Sequence, residues 1–182
     1  MGEGHNHALM KWTSLSVWTN AFYGVAGLIG FYLHGLAVWA PALALIFLAY
    51  GSGIYHKKRT DSTNKLDWLG MYLVAAAFPV WLGFGNGPWW MISVIMAAIL
   101  SFILFKSHDR EFIYMFFINT PLLVFIVHYA TAPLSFSILT IFGLAIYSRL
   151  VMEPKYDGKV EDYLHGIWHT LTALGFTLIF LV

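Results

Sequence analysis

The sequence predicts an all-α integral membrane protein: a seven-transmembrane helix bundle forming a single domain over residues 1–182. Three observations predict it. Hydrophobic residues make up 59% of the chain and charged residues only 10%, where a soluble domain carries about 25% charged. The apolar residues gather in seven runs, each at or near the roughly 20 residues (about 17–25) that cross a hydrocarbon core. All ten Lys and Arg then fall on links that share one side of such a bundle.

The runs cover residues 13–33, 37–56, 66–84, 89–106, 112–129, 133–151 and 163–182. The first is too long, and too far from any A-x-A-like cleavage site, to be a signal peptide. Glycine and proline mark several of the breaks: "HG" at 34–35, "GNGP" at 85–88 and "TAP" at 131–133. The longest link, "KKRTDSTNK", is aqueous. The basic residues are Lys11, the group Lys57, Lys58, Arg59 and Lys65, the pair Lys106 and Arg110, and then Arg149, Lys155 and Lys159. Cytoplasmic loops collect Lys and Arg, so the N-terminus is expected in the cytoplasm and Val182 outside. All nine acids sit on the same side; acids count little in that rule.

Composition also excludes. Without cysteine there is neither a disulfide nor a thiolate metal site. A formal charge of +1 makes no case for nucleic acid as a partner. The expected partners are the bilayer itself and a lipid.

The chemistry lies in the polar residues that the apolar runs carry. Of eight histidines, His5 and His7 belong to a solvated tail. His34, His108 and His128 fall at span ends or links, where interfacial water satisfies them. His56 ends the second run, and His165 and His169 open the seventh, so all three are expected at the inner face. His165 and His169 are four apart and project from one side of a helix. Ionisable residues within spans are costly and usually mark a site.

Two further residues join them. Ser52, four before His56 in "SGIYH", shares its helix face; taken singly it would simply bond back to the i−4 carbonyl. Asp67 opens the third run in "LDWLGMY"; taken singly it would be an N-terminal acid favoured by the helix dipole. Together Ser52, His56, Asp67, His165 and His169 form a constellation at one depth.

Three neutral imidazoles and a water make a tetrahedral zinc site with one open position, the pattern of catalytic zinc. Copper, nickel and iron also accept imidazole. Asp67 is suited to take a proton from the water or to orient a histidine ligand. Ser52 is suited to hydrogen-bond the water or an oxyanion. Apolar walls favour a lipid carrying an amide or ester. Gly24, Gly27, Gly30, Ala75, Ala76 and Ala77 either leave room for its chain or mark close helix contacts.

The ordered set "SGIYH", "LDWLGMY" and "HGIWH" resembles the CREST superfamily of membrane hydrolases, which includes alkaline ceramidases and the progestin and adipoQ receptor family with its hemolysin-III-like relatives. The resemblance covers nearly the whole chain. It implies a seven-helix bundle, zinc held by His56, His165 and His169 plus water, Ser52 and Asp67 as the accompanying polar pair, and lipid-amide hydrolysis, with ceramide the best-known substrate class. "HGIWH" in its wider setting looks closer to the ceramidase branch, and "SGIYH" with "LDWLGMY" closer to the receptor branch. The acidic calcium-binding segment that opens the ceramidase branch has no match in "MGEGHNH", and no acid occupies the first run.

Two other functional classes fit parts of the pattern. A lipid-binding receptor or sensor would use the same ligands for a structural zinc. A haem protein would use the histidines axially and show a Soret band. A transporter would show broken helices in matching halves, and no such pairing is present.

Overall fold

The computed structural model describes residues 14–82 and 130–182, and its regular elements there are all helical. They are α1 (Leu15–Thr19), α2 (Ala21–His34), α3 (Trp39–Lys58), α4 (Asp61–Leu82), α5 (Ala132–Tyr147) and α6 (Gly158–Ile179). A 3₁₀ turn, Gly35–Val38, joins α2 to α3. A π-helical turn, Ser148–Met152, and a 3₁₀ turn, Glu153–Lys155, follow α5.

The turns have local causes. Gly35 holds φ 58° and ψ −139°, a region closed to residues with a Cβ, and there the chain reverses from α2 into α3. At the other end of α3, Arg59 takes the left-handed conformation and its N–H bonds the Tyr55 carbonyl at 2.7 Å. Thr60 then caps α4. The Thr63 N–H donates to Thr60 Oγ1 at 3.3 Å, and the Thr60 N–H donates to Thr63 Oγ1 at 3.1 Å, a reciprocal capping box. Thr131 and Pro133 open α5 in the same helix-starting sense.

Packing follows the small residues. α2 and α3 run antiparallel, since Gly24 faces Ala49 while Gly27 faces Ala42. α3 and α4 are likewise antiparallel, through Gly51 against Leu66 and Gly70 against Leu48. α6 lies parallel to α2, pairing Tyr23 with Thr172 and Gly30 with Phe180. Phe142 packs on Gly175 and brings α5 against α6. A Cβ on Gly27 would stand 2.6 Å from the Ala42 carbonyl oxygen, and one on Gly30 2.6 Å from the Phe180 ring. Those glycines are therefore contact positions rather than space for a ligand. Ala75 is buried as well.

At one end of this bundle Phe78, Trp81, Phe142, Phe176 and Phe180 form an aromatic core. Phe78 stacks on Phe176 at 5.0 Å, and Phe142 meets Phe176 edge-on at 5.4 Å. His34 belongs to this end. Its Nε2 bonds the Phe180 carbonyl and its ring lies edge-on to Trp81, so protein as well as water satisfies it. His5, His7, His108 and His128 lie outside the described residues.

The expectation of seven spans is corrected. Among the described residues two helical runs, Leu15–Lys58 and Ala132–Lys155, are long and apolar enough to cross a membrane. Within the predicted runs 66–84 and 163–182, residues 66–82 and 163–179 are helical without meeting that measure. α6 falls short by polar dilution, since it carries Lys159, Glu161, Asp162, His165 and His169, while α4 is described only as far as Leu82, inside the predicted run. The predicted runs 89–106 and 112–129 lie outside the described residues. The placement of the N-terminus in the cytoplasm, of the C-terminus outside and of the histidines at an inner face rested on the count of seven, and it falls with that count.

The α3–α4 contact gives a direct test. A Cβ at Gly70 would stand 2.8 Å from Leu48 Cα, where backbone must move. Gly70→Ala is expected to destabilise by about 1–3 kcal/mol, read as a lower thermal midpoint of the solubilised protein. Gly24→Ala meets only Ala49 Cβ, at 3.6 Å. It is expected to be neutral or to stabilise by up to about 1 kcal/mol through helix propensity.

Candidate metal centre

The polar residues of the bundle collect at the end away from the aromatic core. α3 contributes His56 from its last turn, and α6 contributes His165 and His169. All three are buried: His56 is 2% exposed, His165 9% and His169 0%. Their ring centroids stand 4.5 Å (His56–His165), 5.0 Å (His56–His169) and 4.6 Å (His165–His169) apart. One ligand atom from each lies within 4.8 Å of the others, close enough to hold a single metal ion. The separation of 109 residues between His56 and His165 is closed by the fold alone.

Hydrogen bonds on the outer side of two rings favour one tautomer of each. His165 Nδ1 faces both oxygens of Glu153, at 3.0 and 3.1 Å. Arg149 bonds the same carboxylate, so it acts as an acceptor and Nδ1 donates. His165 Nε2 is then a bare lone pair. His169 Nδ1 lies 3.2 Å from Thr19 Oγ1. The Thr19 hydroxyl proton goes to the Leu15 carbonyl, 2.9 Å away, in the usual i−4 back-bond, so its oxygen accepts from His169. His169 Nε2 is therefore bare too, and it is buried with no protein partner.

The third ring turns its Nε2 toward the same point, 3.1 Å from His165 Nε2. Its Nδ1 is buried without a partner. If His56 Nε2 carried a proton it would satisfy His165, but His169 Nε2 and His56 Nδ1 would both stay orphaned. A buried polar group left so costs about 1–3 kcal/mol. One cation satisfies all three Nε2 atoms together. Two nitrogens at zinc-like distances in a tetrahedron stand about 3.3–3.4 Å apart, near the spacing His56 and His165 already have.

Ser52 and Asp67 are brought to the same end. Ser52 is 2% exposed, one turn before His56. Asp67 is 8% exposed, and the backbone at Leu66 and Asp67 packs on Gly51, where a Cβ would stand 2.8 Å from the Leu66 oxygen and 3.4 Å from the Asp67 nitrogen. The α3–α4 contact thus brings the Asp67 backbone to the level of Gly51, next to Ser52 and one turn before His56, and both residues are buried.

The sequence reading missed Thr19 and Glu153. Thr19 passes for an ordinary helical threonine. Glu153 passes for a link acid paired with Arg149 four residues before it. The signal that existed was weak: a buried ligating histidine needs an acceptor for its other nitrogen, and Glu153 is an acid within reach of α6 only because the link is short. Comparison with protein-family models found no match, and comparison with curated proteins found none.

The centre predicts a metal stoichiometry of about one per chain in elemental analysis of undialysed protein, as three imidazoles around one position require. His56→Ala is expected to lose the metal. Glu153→Gln is expected to weaken metal binding by about 10–100-fold, the usual cost of losing such a supporting carboxylate, read by competition with a chromogenic chelator.

Proposed function

We propose that this protein is a zinc-dependent hydrolase of the amide bond of a lipid, such as ceramide or another N-acyl lipid. The observation that carries the reading is the convergence of three buried imidazole Nε2 atoms, two of them bare because Glu153 and Thr19 hold the protons on the other side. The ordered likeness of "SGIYH", "LDWLGMY" and "HGIWH" to the CREST hydrolases supports it, since the three histidines, Ser52 and Asp67 are the positions that likeness singles out. The apolar exterior supports a lipid as substrate: Trp18, Leu28, Tyr32, Leu36 and Phe136 are all exposed.

His56, His165 and His169 would hold zinc through Nε2. The donor set suits it: three imidazole nitrogens and no sulfur. Bound zinc supplies a Lewis acid and brings the pKa of a water down to about 7. Glu153 and Thr19 keep the ligand rings in the right tautomer and orientation. Asp67, as a carboxylate, takes the proton released when water attacks the amide carbon and passes it to the departing nitrogen. Ser52, a neutral donor, hydrogen-bonds the carbonyl oxygen as negative charge builds on it.

Turnover of a labelled N-acyl lipid in mixed micelles tests this. Hydrolysis is expected in wild type, to be lost on chelation, to return with added zinc, and to be absent in His169→Ala. The rate is expected to rise with pH through about 7; a flat profile between about pH 5 and pH 9 would overturn a water nucleophile of this kind. Stoichiometric zinc with a co-purifying lipid and no turnover assigns the chain instead as a lipid-binding receptor or sensor with a structural zinc.

A further inference from the structure

One carboxylate outside the centre fastens a segment that reaches into it. Asp162, in the second turn of α6, is half-buried. Its Oδ2 accepts the Leu15 N–H at 2.7 Å, and its Oδ1 accepts the Ser16 N–H at 3.1 Å and the Ser16 hydroxyl. These are the first two N–H groups of α1, which a helix cannot satisfy within itself. Ser14, the residue before them, makes no side-chain cap.

One turn along α6, Gly166 makes room for Leu15: a Cβ there would stand 2.9 Å from Leu15 Cγ. Beyond it, His169 Nδ1 meets Thr19 at 3.2 Å. Asp162, Gly166 and His169 fall at i, i+4 and i+7, a single stripe of α6, and α1 lies along it. With five residues, α1 has no stability as a free helix. α1 passes through Asn20, whose backbone is helical, into α2, so the position of Thr19 is set by that join together with whatever docks α1. Leu15 links the two ends, because its N–H is held by Asp162 while its carbonyl takes the Thr19 hydroxyl proton at 2.9 Å. That second bond is what turns the Thr19 oxygen into an acceptor for His169.

We propose that Asp162 is a positioning residue for the metal centre: by capping α1 it places Thr19, together with the Ser16 backbone that bonds the same ring, to hold the proton on His169 Nδ1, leaving Nε2 free for the ion. The inference rests on the metal reading above and adds to it a residue that touches neither ion nor substrate. Removing the cap frees α1, releases the Thr19 contact and lets the His169 proton move to either nitrogen.

The test uses the full-length solubilised protein, zinc alone as probe, and two readouts. In metal-free protein, ¹⁵N NMR of the His169 ring is expected to show the Nδ1–H tautomer in wild type and in Thr19→Ser, and a mixture in Asp162→Ala and Thr19→Val. Zinc affinity is expected to fall about 10–100-fold in each of the last two. Because both act through one contact, the double variant is expected to be no weaker than the worse single one, whereas independent effects would multiply. Wild-type affinity in Asp162→Ala, or multiplying losses, overturns the proposal. Should Asp162→Ala fail to fold, Asp162→Asn, which keeps one acceptor oxygen, is expected to show a smaller loss in the same direction, and no loss overturns it. If wild type binds no zinc, the metal reading fails, and the tautomer still decides: a shift in Asp162→Ala upholds its positioning of His169, and an unchanged ring overturns it.

Discussion

Three imidazole nitrogens drawn out of water and turned toward one another need something positive between them. A proton can serve one pair at a time. With His165 and His169 already protonated on their outer nitrogens, by the demands of Glu153 and Thr19, too few protons remain to satisfy the inner ones. A cation resolves the conflict in one step. α3 brings one of the imidazoles and α6 the other two.

The rest of the described structure places those rings and steadies them. Antiparallel contact of α3 with α4, close enough to need Gly51 and Gly70, sets Ser52 and Asp67 beside the His56 turn. The irregular link after α5 brings Glu153 back over His165. Its π-helical turn is pinned by Ser148 Oγ donating to the Leu164 carbonyl at 3.0 Å, and its 3₁₀ turn begins at Glu153 itself. π-helical turns occur often at functional sites, because the extra residue redirects the backbone beyond it. Arg149 lies in that turn, bonds Glu153 and extends its guanidinium over Trp168, whose ring packs on both His165 and His169. The supporting groups therefore come from α1, from the link and from α6, while the ligands come from α3 and α6.

The two ends of the molecule divide the labour. Aromatic rings fill one end, where Phe78, Phe176 and Phe180 are excluded from solvent by apolar area alone. Charge-assisted bonds organise the other. Large apolar side chains point outward along much of the surface, as in Tyr32 and Leu36, and the polar groups point inward. That inversion suits a lipid environment and makes a buried polar centre stand out from its surroundings.

Much of the site was legible. His165 and His169 announce themselves by four-residue spacing in an apolar run, as do Ser52 and His56, because helical periodicity alone puts each pair on one face. The helical character of the chain was legible for the same reason. The count of spans was not: among the described residues two helical runs are long and apolar enough, and α6 differs from them once the charged and histidine residues at its head are included in the helix they begin. Nor could Glu153, Thr19 or Asp162 be picked out, since each is ordinary in its local setting and acts on a residue 12, 150 or 147 positions away. The sequence by itself determined which residues share a helix face, since that comes from local geometry. Only the tertiary structure decided which faces meet and which groups stand behind His165 and His169, because those depend on partners that chain distance does not constrain.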